Sequence, residues 1–534
     1  MSFPDAGNGP YRILRGFNPR PRVAWERACA DPAGAQHDRL TAILADTHAS
    51  AFGRAHDLRP GMTLNDLRAA VPIRTHAELL PWLDRVAAGD RDVLTTTPVR
   101  MLLETSGTTG RPKWIPVTDA WARTVADAQL LWVLGLLRDD EALAGGKALS
   151  IVSAAVHGTS PGGLPIGSNT GRMFLAQPFW VRWRAPVPYA AYAEPDPELR
   201  AYAVLRHALT QPVRSWTTAN ASTLLLYCRR MRLWWDDLRA DCADGTFRRG
   251  PAADLAAPHR ARLLRGARRG RLPDDPRPAK VWDLRRVCCW TGGSAPFFLG
   301  RLPDALGADV PLREAGITAS EGFFAVPVDD GPPVAHLAGH VLELVDDAGT
   351  ARAAHEVEVG EVLRLVITTE AGLLRYDLGD LVRVEGFMGG APRLSFLRKV
   401  GNLINATGEK VTETQLIGAA SVVFGGALGL SVSLAWGDVP HLRVAVEPAA
   451  DGTPIDAPGA ASTFDHALRE QNVEYDAKRA SGRLGVPTVV AVPDGTFAAW
   501  RAARVRAGAP DAQVKDPVVL DPDRWDRLVA RSDG

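Results

Sequence analysis

The sequence predicts an α/β fold: a large N-terminal α/β body with a β subdomain, then a small C-terminal α+β domain. Three observations predict it. At 534 residues the chain is longer than one hydrophobic core ordinarily organises. Helix-like and strand-like patterns alternate at first, then turn β-rich from His340 to Phe396. After Arg398–Gly401 a fresh set of helix and strand patterns begins, of the size of a small domain. The division is residues 1–398 and 399–534.

In chain order, residues 36–90 read as helical, with Leu40, Ile43 and Leu44 at helical spacing. Met101-Leu102-Leu103 reads as a strand running into a loop of small and hydroxylated residues, with a helix from Thr118. Ala148–Ser153 is a second strand, before a Gly/Pro-rich loop at Thr159–Gly167. Residues 197–240 read as mostly helical, broken near Pro212, and the basic stretch 258–271 as a solvated helix. Leu284–Trp290 is a strand containing Cys288-Cys289, expected in the core. A helix and a short strand follow, then V-L-E-L-V, E-V-L-R-L-V-I-T-T and L-V-R-V. Beyond the boundary come a helix (412–424), strands (429–437, 442–448), an exposed loop (449–462), a helix (464–472), a strand (488–492) and a helix from about 495.

Composition is that of an ordinary globular protein, 46% hydrophobic and 23% charged. Lys+Arg number 62 against 61 Asp+Glu, which gives no reason to expect nucleic acid or an acidic membrane surface as partner. The N-terminus lacks an apolar core of signal-peptide length, and no run approaches the ~18 apolar residues of a membrane span. Cys29, Cys228, Cys242, Cys288 and Cys289 fit neither a zinc site nor a disulfide framework, so a reducing, cytoplasmic setting is expected.

The segment Leu103–Thr118 reads L-E-T-S-G-T-T-G-R-P-K-W-I-P-V-T. Glycines let backbone N–H groups turn toward an anion, and hydroxyls add donors without bulk. Ser106, Gly107, Thr108, Thr109 and Gly110, with Lys113 as a point charge, are suited to holding a polyphosphate. The order G-T-T-G-R-P-K is not that of the common P-loop. In Thr318-Ala319-Ser320-Glu321 a carboxylate lies among small residues; Glu321 can hold Mg²⁺ near phosphates, though a lone glutamate at a strand end is more often plain surface. In Tyr376-Asp377-Leu378-Gly379-Asp380, Asp380 follows a glycine at a turn, where a carboxylate can accept both hydroxyls of a ribose, or simply form a β-turn.

These motifs, with Thr291-Gly292-Gly293-Ser294 and Arg398-Lys399…Gly408-Glu409-Lys410, occur in the order that resembles the acyl-adenylate-forming superfamily. Within it, V-P-I-R-T-H-A-E-L-L-P-W-L-D-R-V-A-A-G-D, L-L-R-Y-D-L-G-D-L-V-R-V-E-G-F, F-L-R-K-V-G-N-L-I-N-A-T-G-E-K and the tail D-G-T-F…A-G-A-P-D-A-Q-V-K-D-P are similar to the Gretchen Hagen acyl acid amido synthetases. The likeness spans about residues 36–520. It implies that ATP phosphates lie on Ser106–Gly110 and Lys113, with Mg²⁺ on Glu321 and the ribose on Asp380. It also implies a nucleotide pocket lined by Gly293, Ser294, Thr318, Ala319 and Ser320. The likeness further implies a hinge at Arg398 and Lys399, about which the small domain moves, and a Lys515 that reaches the α-phosphate. Three positions depart from the pattern: Ile317 replaces an aromatic residue, Asp377 an arginine, and Val518 the arginine after the closing proline.

The implied activity is ATP-dependent adenylation of a small carboxylic acid, then transfer of the acyl group to an amine or amino acid. An acyl-CoA synthetase is the alternative, and a binding protein without turnover a third reading. Trp180, Trp183, Trp216 and Trp290 and the loop 159–167 are candidate walls for the acid, each tryptophan being more often core. His157 is a candidate base for the amine, or a structural histidine.

Overall fold

The computed structural model describes residues 16, 19–105, 113–177, 179–293, 295–400, 403–404, 406, 409–437, 439–449, 454–506, 514 and 516–530. The chain forms two compact units. The first comprises 1–219, 230–290 and 310–396; the second comprises 220–229, 291–309 and 397–534.

In the first unit the N-terminal helices Pro32–Thr47, Leu64–Ala70 and His76–Ala87 bury Leu40, Ile43, Leu44, Leu67, Leu79 and Leu83. Their starts follow from capping: Thr63 with Asp66 and Thr75 with Glu78 form reciprocal capping boxes. Three sheets follow. One has the order β2 (Lys113–Val117), β1 (Met101–Thr105), β5 (Pro165–Gly167), β4 (Gly158–Thr159). A second is wholly parallel, in the order β3 (Lys147–Ser150), β6 (Val213–Thr217), β7 (Arg286–Cys289), β8 (Leu312–Glu314). Every residue of β7 is buried, Cys288 and Cys289 included, as expected of an inner parallel strand.

The third sheet has eight strands, in the order β13 (Ala351–Ala353), β12 (Val341–Val345), β14 (Val362–Thr368), β15 (Tyr376–Met388), β16 (Ala391–Lys399), β11 (Val334–Ala335), β10 (Gly322–Val326), β9 (Ile317–Ala319). The long helix Asp119–Asp139 lies on this side of the core. Its Gly135 needs to be a glycine: a Cβ there would meet the Val328 carbonyl oxygen at 2.4 Å.

In the second unit β17 (Leu403–Ile404) pairs with β18 (Val411–Thr412), and β19 (Gly429–Ala435), β20 (His441–Glu447) and β21 (Thr488–Ala491) form a three-stranded sheet. The tail runs beside β19, with N–H of Val432 donating to the Val518 carbonyl and N–H of Leu520 to the Val432 carbonyl. Glu447 is buried, and its carboxylate accepts from the N–H groups of Gly495 (2.9 Å) and Phe497 (2.8 Å) at the start of helix Thr496–Arg506. Burial raises its pKa, against those bonds and the Arg229 charge.

Several expected elements differ. Lys113 does not sit in a loop that leads straight to a helix; it opens β2, so strand and helix are separated by a hairpin. The Gly/Pro loop at 159–167 contains the β4–β5 hairpin. The stretch 197–240 is interrupted by β6, whose V-R-S-W-T carries too little apolar signal to stand out. The basic helix ends at Leu264, before Gly266 with its φ of +84°. The loop expected to end at 462 gives way to a helix at Ala457, where Pro458 sits in the first turn and its missing N–H costs nothing. All five cysteines are free thiols and buried. Among the described residues no helix is long and apolar enough to cross a membrane.

Candidate active site

Ser106, Gly107, Thr108, Thr109 and Gly110 lie outside the described residues, as do Ser294 and Lys515. The strands around the glycine loop are described. β1 and β2 run antiparallel, with Thr105 paired to Lys113. Glu104, one residue earlier, is buried; its Oε2 accepts from Trp114 Nε1 at 3.1 Å. Its Oε1 stands 3.5 Å from His157 Nε2. The β1–β5 pairing and the bond from His157 N–H to the Ile166 carbonyl bring this histidine, distant in sequence, beside the hairpin.

Thr318 and Ala319 belong to β9 itself, and Ser320 and Glu321 form the tight turn into β10. Thr318 Oγ1 accepts from Trp290 Nε1 at 3.1 Å. Glu321 is only 7% exposed, so it is no surface glutamate. Its backbone carbonyl accepts from Trp121 Nε1 at 2.7 Å, and its Oε1 accepts from the Tyr376 hydroxyl at 3.0 Å. Trp121 is placed by the first turn of its helix, where Thr118 Oγ1 caps the Trp121 N–H (3.1 Å) and donates to the Glu370 carbonyl (3.1 Å). Burial, then the Glu321 charge, pushes the Tyr376 phenol well above its ordinary range, with Asp377 and Asp380 adding to the effect. Tyr376 is therefore a hydrogen-bond donor at any physiological pH.

Asp380, 6% exposed, lies within β15 rather than in a free turn. The turn character survives as a bulge: the β14 register jumps between Leu365, opposite Asp380, and Val366, opposite Asp377. Gly379 has φ +68°, and its N–H donates to Asp377 Oδ1 at 2.8 Å. Asp377 Oδ2 pairs with Arg364 at 3.1 Å. The residue that departs from the family pattern is thus a local turn former next to Asp380. Arg375, just before Tyr376, holds φ +48°, a strained region for a non-glycine residue that costs about 1–3 kcal/mol. Its surroundings fix it: Nε and Nη2 donate to Glu343 at 2.9 and 3.2 Å, Nη1 to the Val71 carbonyl at 2.8 Å, and its N–H to Thr368 Oγ1 at 2.9 Å.

The structure therefore brings Glu321 and Asp380 to Tyr376, with Thr318, Ala319 and Ser320 leading into Glu321 and Ile317 buried at the start of β9. Gly293, with φ +63°, belongs to the second unit, and Lys399 is the exposed last residue of β16. Two of the candidate pocket tryptophans stand elsewhere. Trp216 is fully buried in the parallel sheet, edge-on to Trp282, and Trp183 is a surface ring at 74% exposure under Lys147. Trp180 has no described side chain, and Trp290 is the one tied to the nucleotide motif. Sequence reasoning missed Tyr376, Trp121 and Glu104. The first stood in the quoted Y-D-L-G-D, where a tyrosine beginning a strand reads as core.

Family models match three consecutive parts of the chain: the GH3 family N-terminal domain over residues 23–312, the GH3 family central domain over 341–399 and the GH3 family C-terminal domain over 405–523. The jasmonoyl–L-amino acid synthetase JAR6 of Nicotiana attenuata is 25% identical over 435 residues, 73% of each chain. A probable indole-3-acetic acid-amido synthetase, GH3.12 of Oryza sativa subsp. japonica, is 26% identical over 455 residues, covering 74% of this chain and 73% of its own. In three dimensions the chain is similar to the AtGH3.15 acyl acid amido synthetase in complex with 2,4-DB, with a TM-score of 0.83 at 17% identity over 99% of this chain and 97% of the other. It is also similar to a 2-hydroxyisobutyryl-CoA ligase in the postadenylation state, with a TM-score of 0.58 at 17% identity over 94% and 92%. At these identities the structural likenesses establish the fold.

Proposed function

The chain belongs to the GH3 family, and from that premise we propose an ATP-dependent acid–amine ligase whose adenylation site is built on Glu321, Asp380 and Lys113. The enzyme converts a small carboxylic acid to an acyl-AMP with release of pyrophosphate, and passes the acyl group to an amine or amino acid. The observation that most supports the placement is the pair of buried carboxylates, Glu321 and Asp380, around one phenol. Two acidic side chains this deep need a ligand or a fixed donor to offset their burial.

In the first step a carboxylate oxygen bonds to the α-phosphorus of ATP, and the bond to pyrophosphate breaks. Asp380 accepts the ribose hydroxyls; Ser106–Gly110 and Lys113 hold the phosphates. The described donor set fits Mg²⁺. No group of three or more His, Cys, Asp or Glu among the described residues could hold a metal alone, and this cation characteristically takes one or two carboxylates plus substrate phosphates. Glu321 would hold it, and when bound it supplies positive charge against the phosphates. Thr318, Ala319, Ser320, Gly293 and Ser294 line the nucleotide, and Lys399 marks a hinge. Residues 399–534 act as the small, moving domain, whose Lys515 places a charge at the α-phosphate. In the second step the amine nitrogen bonds to the acyl carbon and AMP leaves. His157, with Glu104 behind it, accepts the amine proton.

The test is a screen of carboxylic acids for pyrophosphate release, repeated with amino acids and with coenzyme A as acceptor. AMP and an amide are expected; ADP as the nucleotide product would exclude adenylation. Acyl-CoA formed as fast as any amide would favour the thioester alternative. Lys515→Ala should slow acyl-AMP formation far more than aminolysis of pre-made acyl-AMP, and equal loss in both would remove its assigned role.

A further inference from the structure

The buried carboxylates of the first unit fall into two kinds. Glu343 is paired with Arg375 (2.9 Å) and Arg68 (2.8 Å), and Glu370 with Arg39 (2.5 Å). Those charges are neutralised within the protein. Glu321 is buried too, yet its described side-chain partner is a neutral hydroxyl. A guanidinium there would compete with a divalent cation for the same charge. A phenol orients the carboxylate and leaves the charge intact.

The phenol is itself held. The strained Arg375 before it is locked by Glu343, and the Asp377 N–H after it donates to the Arg74 carbonyl at 2.8 Å. Arg74 and Tyr376 form an isolated parallel bridge. On the other side of Glu321, Trp121 grips the backbone carbonyl at 2.7 Å. A glutamate side chain otherwise loses rotamer freedom when a ligand orders it. The Tyr376 bond to Oε1 removes that freedom during folding and not during ligand binding, and the Trp121 bond fixes the main chain that carries the side chain.

We propose that Tyr376 is a positioning residue: its hydroxyl fixes Oε1 of Glu321 and so aims Oε2 at the divalent cation that accompanies ATP, with Trp121 as the second tether. The proposal rests on the reading of Glu321 as the metal-holding carboxylate. Tyr376 also opens the strand that carries Asp380, so one backbone segment sets the orientation of both nucleotide-side carboxylates.

Tyr376→Phe removes one oxygen and keeps the ring. Mn²⁺ binding is measured by electron paramagnetic resonance, in the presence of ATP and without acid, so that no turnover contributes. Alongside it are measured the Mg²⁺ dependence of pyrophosphate release, KM for the acid, and Tm. Tyr376→Phe should weaken Mn²⁺ about tenfold and raise the Mg²⁺ requirement by a similar factor, with KM for the acid and Tm little changed. Trp121→Phe should move Mn²⁺ affinity in the same direction by a smaller factor, and serves where the first variant does not fold. Glu321→Gln is the control. If it loses Mn²⁺ while Tyr376→Phe and Trp121→Phe bind it as the wild type does, the positioning role is overturned and the metal role of Glu321 stands. If Glu321→Gln also binds Mn²⁺ normally, both are overturned.

Discussion

Glu321 and Glu104 are the same residue type, each 7% exposed, and each lies in or beside one of the motifs the sequence singles out. Their neighbours differ. Glu321 faces a tyrosine that stays protonated, anchored through a left-handed arginine and a buried Arg–Glu pair. Glu104 takes one bond from an indole and faces a partly exposed imidazole at 3.5 Å. The first arrangement can hold a charge still but cannot move a proton. The second can pass one, because an imidazole carries both a donor and an acceptor nitrogen. Burial of a carboxylate therefore says little about its task; the chemistry of the group across from it says more.

The contrast can be broken in four places. Glu321→Ala should cost the most, about a thousandfold in acyl-AMP formation with little change in Tm, since charge stabilisation of this kind is worth several kcal/mol. Wild-type rates across a Mg²⁺ titration would move the carboxylate role elsewhere. Next, Arg375→Ala leaves Glu343 partly unpaired and should destabilise the first unit by about 3 kcal/mol, the low end for a broken buried pair because Arg68 remains. Denaturant midpoints would report this, and an unchanged midpoint would show that Arg375 anchors nothing.

At the other carboxylate, His157→Asn should lower aminolysis of pre-formed acyl-AMP about a hundredfold and leave pyrophosphate release alone. An equal loss in both half-reactions would make His157 structural. The smallest effect is expected for Glu104→Gln, which keeps the bond to Trp114 and removes only the charge facing His157. About a tenfold loss confined to aminolysis is expected, comparable to deleting a group that orients another's ring. A loss in adenylation instead would tie Glu104 to the phosphate hairpin.

The α/β body, the β-rich stretch, the core position of Cys288-Cys289 and the order of motifs were legible because they depend on local period and on residues close in sequence. Glu321 and Asp380 were legible as carboxylates in named motifs. Their surroundings were not. The Tyr376–Glu321 bond joins β15 to the β9–β10 turn across two intervening strands, β16 and β11, and no periodicity relates them. The His157–Glu104 approach depends on β5 pairing with β1, which a Gly/Pro-rich segment gave no reason to expect. The positive φ of Arg375 is invisible because nothing in an arginine favours it; tertiary bonds to Glu343, Val71 and Thr368 hold it there. β6 was missed because five residues, three of them polar, read as a break between helices.

The five buried thiols have a practical use. Burial pushes Cys29 and Cys288 up to about 12 and Cys242 up to about 11, so reactive thiolate is scarce while the fold is intact. The native chain, with all five thiols buried, should therefore label slowly with maleimides, and thiol titration before and after unfolding checks this. A single cysteine introduced at an exposed position on each unit would be the site a fluorophore finds, and energy transfer between two such dyes could follow the catalytic cycle in the otherwise unaltered enzyme.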